Sequence, residues 1–567
     1  LINADGSDSS ALDNMIQLLV EGGMDLFRAI RAVIPPAWQN IQILDPDIRA
    51  FHEYNSMHME AWDGPAGIAL ANKRYALSFL DRNGMRPSRY QIEKDGTVTI
   101  ASETGVNPVP ASKIETKGRI SPGGIFAVDK VAGKILTESD IDQELAAKYP
   151  YRDWLKQNSS YVESNLVQSE GLGLKKISPK KYTLATKIFS LFLEERTSVI
   201  KVLGVSAQEG TGSMGDDTAL AVLSKQNRQI YDYFRQQFSQ VTNPPIDSLR
   251  EQSVMSLETC YGPELNIFEP SAEHAKRLVT YSPILSYKKL DWILKNKTFK
   301  VKTFDLEYEE DSSISDAIDR LILDVSDAID EGVTIIHLNE KLPSKNKLSL
   351  NALMATGALH QALIKQRKRT SANIIVSTGS ARDTHQIACL IAFGATSVYP
   401  WLAYQTILDL TDKKELKGDA FENCAKYRKG VNKGLLKIIS KLGISLISSY
   451  RGSQLFEIVG LSDEVVDKCF TNTDSRIGGK KFKNIEKENR NISLFAKSNI
   501  SDVNVGGLLK FIHGGEYHSY NPDVVKTLQE AVKSGNHEEY KKYSDLVNAR
   551  PASMLRDLLV LKSKKPK

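Results

Sequence analysis

The sequence predicts a multidomain protein of the α+β and α/β classes, in which an α+β part precedes an α/β part. Its 567 residues are too many for one ordinary core, and about 150 residues per domain gives roughly three or four domains. Short β-prone segments separated by tight-turn residues fill positions 67–136. Beyond residue 180, apolar runs typical of buried parallel strands alternate with helical stretches.

The α+β part begins with two predicted helices. Ser7 or Asp8 can cap the first, because apolar residues follow them at helical spacing. The second helix runs from Asp25 to about Val33, and the two prolines at 35 and 36 stop it. Six short strands then form a meander, with Asn83-Gly84 and Asp95-Gly96 supplying the positive φ angles of tight turns. The predicted strands are 67–71, 75–80, 88–93, 98–102, 124–128 and 134–136.

Residues 151–179 are polar and rich in Ser, Lys and Gly, and they are interpreted as a linker. The α/β part follows it, with three apolar runs that predict parallel strands and two segments that predict helices between them. The strands are Thr334 to Leu338, Asn373 to Ser377 and Thr396 to Tyr399, and the helices are 349–367 and 384–393. The aromatic-rich segment 231–238 is also predicted to be helical.

Near Tyr427 the pattern begins again. A helix from Val431 to Leu442 leads into a strand from Ile444 to Ser448, and a further helix is predicted from Ser453. An amphipathic helix is predicted from Asp523 to about Ser534.

Composition excludes several classes of protein. Lys and Arg number 74 against 69 Asp and Glu, and the net charge of +5 gives no electrostatic case for a nucleic-acid partner. No apolar run reaches the roughly 18 residues of a membrane helix, and no signal peptide is recognisable. The four cysteines stand far apart without a CxxC pair, which favours a reducing cytoplasm. Because residue 1 is Leu rather than Met, the sequence is interpreted as a fragment of a longer protein.

Five segments are candidates for function. In Gly6-Ser7-Asp8-Ser9, spacing alone favours a helix cap over a carboxylate aimed at a ligand ammonium. Trp62 to Pro65 and Asp81 to Pro87 are dense in turn formers, and a structural role is favoured because no His or Cys lies nearby as a base. In Ser213 to Thr218, a helix cap explains Asp216 and Asp217 better than a metal does.

Ser377 to Arg382 follows a buried strand and opens a helix, where α/β proteins bind anions through free backbone amides. It lacks the GxGxxG spacing, so phosphate binding is only weakly indicated. None of the nine histidines pairs at zinc-ligand spacing. From the residues alone, the protein is multidomain and cytoplasmic, without a complete active site.

A dozen segments occur in the order found in glutamate synthases, and on these the chain resembles the large (alpha) subunit of that family in its bacterial, NADPH-type form. Met85, Thr116 and Ala549 depart from the residues usual in the family. The segments are 62–66, 80–90, 116–119, 149–151, 212–218, 230–247, 393–395, 432–445, 449–457, 476–479, 514–518 and 549–558.

The resemblance implies four regions. Residues 1–155 would be the C-terminal part of a class II amidotransferase domain, with the layered β-sheets and helices of the N-terminal-nucleophile fold, and residues 156–180 a linker. Residues 181–415 would be the central domain, an α/β barrel-like unit. Residues 425–567 would be the N-terminal segment of an FMN-binding synthase domain, the start of a (β/α)8 barrel.

The resemblance also implies an activity: glutamine is hydrolysed, and ammonia is channelled to 2-oxoglutarate for reductive formation of glutamate. The nucleophile, an N-terminal Cys, would lie upstream of this chain, so the chain alone is expected to be inactive. Asp8 matches the family's GSDS aspartate and is expected to bind the α-ammonium of glutamine while also capping the helix. Ser213 and Met214 are expected to approach the flavin.

The implied cofactors are FMN and a 3Fe-4S cluster, with main ligands beyond residue 567, and FAD and NADPH on a partner small subunit. One alternative is the ferredoxin-dependent form, in which ferredoxin replaces the small subunit. Another, from a different class, is a non-catalytic structural or docking protein derived from the central domain.

Overall fold

The computed structural model describes residues 6–162, 173–210, 216–238, 244–498 and 504–560. Its first part contains five helices, and the two predicted at the start of the chain are confirmed. The Ser7 side chain accepts a hydrogen bond from the amide of Ser10, and Asp25 does the same for Arg28, so each residue caps its helix. The helices are α1 (Asp8–Glu21), α2 (Leu26–Val33), α3 (Pro46–Ser56), α4 (Glu138–Ala147) and α5 (Tyr151–Asn158).

Seven strands, not six, form two antiparallel sheets between these helices. The sequence missed the fifth, in which Ile114 is the only strongly apolar residue. The first sheet has the order β1-β2-β6-β7 and the second the order β4-β3-β5. The strands are β1 (Gly67–Ala71), β2 (Tyr75–Leu80), β3 (Arg89–Glu93), β4 (Val98–Ala101), β5 (Ile114–Arg119), β6 (Ile125–Asp129) and β7 (Lys134–Leu136).

The inner strands β2 and β6 of the first sheet are largely buried on both faces. Successive side chains of a strand point to opposite sides, so each of these strands contributes to two cores. In β6, Ile125 and Ala127 pack into the core that includes α1, α2 and α3. Phe126, between them, packs with Leu80 and Ile120 in a smaller core that the second sheet covers. The result is a layer of helices, a buried sheet and an outer sheet.

Parts of the predicted linker carry secondary structure. Strand β8 (Ser160–Tyr161) pairs in parallel with β11 (Leu278–Thr280), which pairs antiparallel with β10 (Thr259–Tyr261). Helix α6 (Pro179–Ile188) follows, and then a helical stretch from Leu193, with a π-helical turn at Arg196–Ile200, leads into α7 (Lys201–Ser206). The small sheet therefore joins the N-terminal unit, residues 6–158, to the unit that follows it.

The following unit is built on a parallel sheet, and all three predicted strands are confirmed. Their order is β12-β14-β16-β17, with β12 and β17 at its two ends in the described residues. The sequence missed β12, in which charged and apolar residues alternate at the sheet edge. The strands are β12 (Lys300–Asp305), β14 (Val333–Asn339), β16 (Asn373–Ser377) and β17 (Ser397–Tyr399), and an antiparallel pair, β13 (Glu307–Glu309) and β15 (Lys347–Ser349), lies beside them.

Helices surround this sheet, and the two that were predicted between its strands are confirmed within three residues at each end. Every residue of β16 is buried, as expected for a parallel strand covered on both faces. The helices are α8 (Ser248–Val254), α9 (Tyr287–Lys295), α10 (Ile314–Asp330), α11 (Ala352–Lys365), α12 (Thr384–Ala392) and α13 (Trp401–Asp412).

Three predictions near this unit are wrong. The aromatic segment after residue 230 forms a 3-10 turn (Ile230–Tyr233) and then strand β9 (Phe234–Gln236), because its aromatic side chains are buried beside β18. In the predicted strand 444–448, only Leu446 forms a β-bridge, with Ser256, and helix α15 (Ile447–Tyr450) begins directly after it. The predicted helix from Ser453 is strand β18 (Phe456–Leu461). Both short runs are apolar, and pairing of β18 between β19 and β9 decided the outcome.

The helix predicted from Val431 begins earlier, at Ala420, and the amphipathic helix predicted from Asp523 is confirmed. Among the described residues, no helix is both long and apolar enough to span a bilayer. The remaining elements are α14 (Ala420–Lys441), α16 (Asp463–Cys469), β19 (Asp474–Lys480), α17 (Phe482–Lys497), α18 (Pro522–Ser534) and α19 (His537–Asn548).

Candidate functional site

Two motifs of the N-terminal unit lie at its contact with the following unit, which we call the seam. Asp63 accepts hydrogen bonds from the hydroxyl of Ser445 at 2.6 Å and from its amide at 3.1 Å. Arg82 is buried and donates to the carbonyl oxygens of Pro36 at 3.2 Å and Val254 at 3.0 Å. These contacts agree with the structural role predicted for both motifs.

Burial shapes the chemistry of the seam. It raises the pKa of Asp63, and the hydrogen bonds from Ser445 and the charge of Arg82 oppose that rise. It lowers the pKa of Arg82 to about 10, so the guanidinium remains charged at neutral pH. The buried charge donates to fixed backbone carbonyls, which holds the two units in one relative position.

A polar cavity of about 50 Å³ opens at the seam, and its walls come from both units. That volume exceeds the roughly 10–15 Å³ that one water molecule requires. Nη2 of Arg277 donates to Nδ1 of His58 at 2.8 Å, while Nε2 of His58 lies 2.8 Å from the carbonyl of His274. These contacts assign His58 as the neutral tautomer that carries its proton on Nε2.

The titratable groups of the cavity are displaced from their ordinary pKa values. Burial and the charge of Arg277 lower the pKa of His58 to about 3. Burial, with the nearby carboxylate of Glu53, raises the pKa of Glu258 to about 7. Burial raises the pKa of Cys260, which is therefore a thiol and a poor nucleophile. At neutral pH, Glu258 is therefore able to exchange a proton.

Asp8 is the first residue of α1 and is exposed to solvent. Its Oδ1 accepts a hydrogen bond from the amide of Ser9 at 2.8 Å, while Ser7 provides the cap. A carboxylate in the first helical turn is favourable because the helix dipole is positive there. The capping role predicted for Asp8 thus belongs to Ser7, and the contact of Asp8 with a ligand stays a prediction.

Ser213 and Met214 lie outside the described residues, but the aspartates that follow them are described. Asp217 contacts Nδ1 of His518 at 2.8 Å and accepts a hydrogen bond from the amide of Tyr520 at 3.0 Å. Thr218 pairs with His518 in an antiparallel bridge, and its hydroxyl donates to Asp216 at 2.6 Å. The structure therefore joins two motifs that are about 300 residues apart in the sequence, and both carboxylates have protein partners.

The loop from Ser377 to Arg382 holds an anion, but the anion is a side chain of the protein. Oε2 of Glu340 accepts hydrogen bonds from the amides of Gly379 and Ser380, each at 3.0 Å, and from the hydroxyl of Thr378 at 2.6 Å. Oε1 accepts from the amide of Ala352 at 3.0 Å. The buried carboxylate occupies the place where phosphate binding was weakly indicated.

Sequence reasoning missed several of these residues. Glu340 follows a buried strand directly, and an acidic residue at that position was the signal that could have identified it. Glu194 binds three backbone amides of the loop after Gly506, those of Gly507, Leu508 and Lys510. No local pattern marks Glu194, because its partners lie more than 300 residues away.

The cysteines do not fit an iron-sulfur cluster. Cys389, Cys424 and Cys469 are buried and Cys260 is partly buried, and burial raises the pKa of each thiol. In the part of the chain that the structure describes, no three His, Cys, Asp or Glu side chains are grouped so that they could hold a metal ion. Thiolates are the ligands of such clusters, so these four residues do not supply them.

Comparison with known proteins identifies two domains. Residues 1–154 match the family model of class-II glutamine amidotransferases, and residues 185–462 match that of the glutamate synthase central domain. Flavocytochrome b2 covers 32% of the chain at 15% identity with a TM-score of 0.22, which is too low to indicate a shared fold.

Curated relatives match across nearly the whole chain. The ferredoxin-dependent glutamate synthase of Cyanidium caldarium is 37% identical over 99% of this chain and 37% of its own length. The glutamate synthase [NADPH] large chain of Bacillus subtilis (strain 168) is 33% identical over 98% of this chain and 36% of its own. The glutamate synthase [NADH] of Schizosaccharomyces pombe is 34% identical over 96% of this chain and 27% of its own length. The chain thus spans about a quarter to two fifths of these relatives.

Proposed function

This chain belongs to the glutamate synthase large-subunit family, and we propose that it is part of an enzyme that hydrolyses glutamine and channels the ammonia to 2-oxoglutarate for reductive synthesis of glutamate. The observation that carries the proposal is identity of 33% to 37% with glutamate synthases over at least 96% of the chain. The match includes both units and the seam between them.

The division of the chain is proposed as follows. Residues 1–155 are the C-terminal part of the amidotransferase domain, residues 156–180 the linker, and residues 181–415 the barrel-like central domain. Residues 425–567 are proposed to begin the FMN-binding (β/α)8 domain, although the match to the central-domain family model extends to residue 462. Support for the first region comes from its two antiparallel sheets and its layer of helices.

In this enzyme the seam keeps water from the transferred ammonia. Ammonia must cross as the neutral molecule, because protonation in bulk water would remove the reactive lone pair. Asp63 with Ser445, and Arg82 with the carbonyl of Val254, close the contact between the two units. The proposal assigns them a positioning role, since the hydroxyl of Ser445 donates to Asp63 and the guanidinium of Arg82 donates to backbone carbonyls.

Asp8 is proposed as the side chain that binds the α-ammonium of glutamine. Its exposed carboxylate at the start of α1 supports this, because a charge-assisted hydrogen bond to an ammonium needs an accessible anion. Ser213 and Met214 are proposed to approach the flavin. This role rests on the resemblance alone.

NADPH is the proposed electron donor, delivered through FAD on a small subunit to FMN and a 3Fe-4S cluster whose main ligands lie outside this chain. Ferredoxin is the second candidate, because a ferredoxin-dependent relative is 37% identical to the chain. The donor that supports glutamate formation by the complete protein distinguishes the two.

The test uses the protein encoded by the complete reading frame, with glutamine labelled by ¹⁵N in the amide, 2-oxoglutarate and unlabelled ammonium. We expect ¹⁵N in the product glutamate with little dilution, because channelled ammonia does not mix with the solvent. Ser445→Ala should increase the dilution, whereas Ser139→Ala, on the exposed surface, should not. Absence of labelled glutamate with either donor would contradict the proposed function and favour a structural or docking protein.

The role of Asp8 is tested separately in the same protein. Asp8→Asn removes a charge-assisted contact worth about 1.5–3 kcal/mol, so kcat/KM for glutamine should fall roughly tenfold to a hundredfold. Asp13→Asn, on the same helix and also exposed, is the matched control. Equal kinetics for the two variants would remove Asp8 from the substrate site.

A further inference from the structure

A groove crosses the outer sheet of the N-terminal unit. Tyr90 and Ile92 of β3 pack against the small core between the two sheets. Arg89 and Gln91 alternate with them, and with Lys117 and Arg119 of β5 they line the groove on the opposite face. The loop 103–107 forms one wall. Its position is fixed because Nδ2 of Asn107 donates to the hydroxyl of Thr99 at 3.2 Å.

The groove has a volume of about 360 Å³, within the range of small-molecule sites, about 300–1,000 Å³. It is distinct from the seam cavity, whose lining residues it does not share.

The strand register concentrates positive charge in the groove. Arg89 lies directly opposite Arg119, and Gln91 lies opposite Lys117. Like charges directly opposite each other on paired strands are destabilising. In the described residues, none of the three cations forms an ion pair, and Glu103 is the one carboxylate among the lining residues. The groove therefore carries three exposed cations against a single carboxylate.

Gln91 provides a second, independent observation. Its Nε2 is buried and has no hydrogen-bond partner within the described structure. A buried donor without an acceptor costs free energy, and ligand sites are one place where such donors occur. Two guanidinium groups and an ammonium group, all exposed to solvent, thus line one groove together with an amide donor that lacks an acceptor.

We propose that this groove binds a small ligand bearing an oxyanion group, either a phosphate ester or a dicarboxylate. Guanidinium groups donate two parallel hydrogen bonds to phosphate or carboxylate oxygens, and Lys117 adds a compact point charge. The bound anion neutralises the opposed charges of Arg89 and Arg119. It accepts from Nε2 of Gln91 when that side chain turns toward the groove, since Nε2 is shielded from solvent in the unbound structure. The site belongs neither to the seam nor to the segment around Asp8.

The test is calorimetric titration of the purified chain at low ionic strength with two probes, inorganic pyrophosphate and succinate. Arg119→Gln should weaken binding at least tenfold, and Gln91→Ala should weaken it without changing the charge. Arg320→Gln, on an exposed face of α10, is the matched control and should bind as the parent does. Binding of pyrophosphate alone identifies a phosphate ligand, binding of succinate alone a carboxylate ligand, and binding of both a site for either.

Thermal unfolding separates a binding role from a structural one. Without anion, Arg119→Gln should unfold at the temperature of the parent or higher, because it removes the charge repulsion, and its stabilisation by pyrophosphate or succinate should be lost. Three outcomes would overturn the proposal: failure of both probes to bind, equal binding by Arg119→Gln and the parent, or equal weakening by Arg320→Gln.

Discussion

Glu340→Gln tests whether the buried carboxylate organises the carboxyl edge of the parallel sheet. Oε2 accepts from the hydroxyl of Thr378 and from the amides of Gly379 and Ser380, and Oε1 accepts from the amide of Ala352 and the hydroxyl of Ser380. Glutamine has the same shape but presents one NH₂ group, a donor, in place of one of these acceptors.

The structure sets the size of the effect. An NH₂ in place of Oε2 would face the amides of Gly379 and Ser380, so it should take the place of Oε1. There Ala352 supplies the one backbone donor, and the hydroxyl of Ser380 can donate instead to the other position, which lies 2.8 Å from it. One buried backbone donor then lacks an acceptor, which costs about 1–3 kcal/mol of unfolding free energy. Glu340→Ala leaves all three backbone donors without the carboxylate and should cost at least about 3 kcal/mol.

Urea unfolding followed by tryptophan fluorescence is the assay. Nε1 of Trp401 donates to the backbone carbonyl of Glu340 at 2.8 Å, so its emission reports on this loop. Glu331→Gln, on the exposed surface of the same unit, is the control and should change stability little. If Glu340→Gln unfolds within about 0.5 kcal/mol of this control, the carboxylate does not organise the loop.

Three further predictions concern other buried groups. Folding raises the pKa of Glu258 to about 7 from an ordinary value of 4.5, so between these values the folded state binds a proton that the unfolded state has lost. The free energy of unfolding should therefore fall as pH rises from about 4.5 to 7 and then level off. Above pH 7, Glu258→Gln should be more stable than the parent by up to about 3 kcal/mol, and equal pH profiles in urea unfolding would contradict this. Gly460→Ala should lower stability by about 1–3 kcal/mol or more in the same assay, since φ is +98° and the new Cβ would lie 2.3 Å from Cβ of Val222. Arg382→Ala should lower the free energy of unfolding by about 3–5 kcal/mol, because it leaves Glu195 unpaired, its bidentate partner at 2.6 and 2.8 Å. A loss below about 1 kcal/mol would show that water solvates Glu195 in the variant.

The structure makes the seam more than a surface between two folded units. Strand β8 of the N-terminal side completes a sheet with β10 and β11, so backbone pairing as well as side-chain contact crosses the seam. Arg250 adds a hydrogen bond at 2.7 Å to the carbonyl of Asn83. We therefore expect the two units to keep one relative orientation.

Local sequence patterns predicted most of the elements whose caps and apolar residues lie within the element itself. The helices after Ser7 and Asp25 have a cap followed by apolar residues at helical spacing, and both signals lie within one element. The run 373–377 is apolar throughout and forms the buried strand β16. Strands β5 and β12 escaped detection because exposed edge or outer strands carry charged residues, which weaken the alternating pattern.

The sequence by itself predicted the resemblance to the glutamate synthase family, the α+β and α/β parts, three of the four strands of the described parallel sheet and the position of Asp8 at the start of a helix. Only the tertiary structure decided that residues 456–461 form a strand, that Glu340 occupies the anion-binding loop, and that Arg89 faces Arg119 across a groove. The physical reason is range. Capping and periodicity act within a few residues, whereas strand pairing, burial of a charge and the partner of an orphaned donor depend on segments tens to hundreds of residues away.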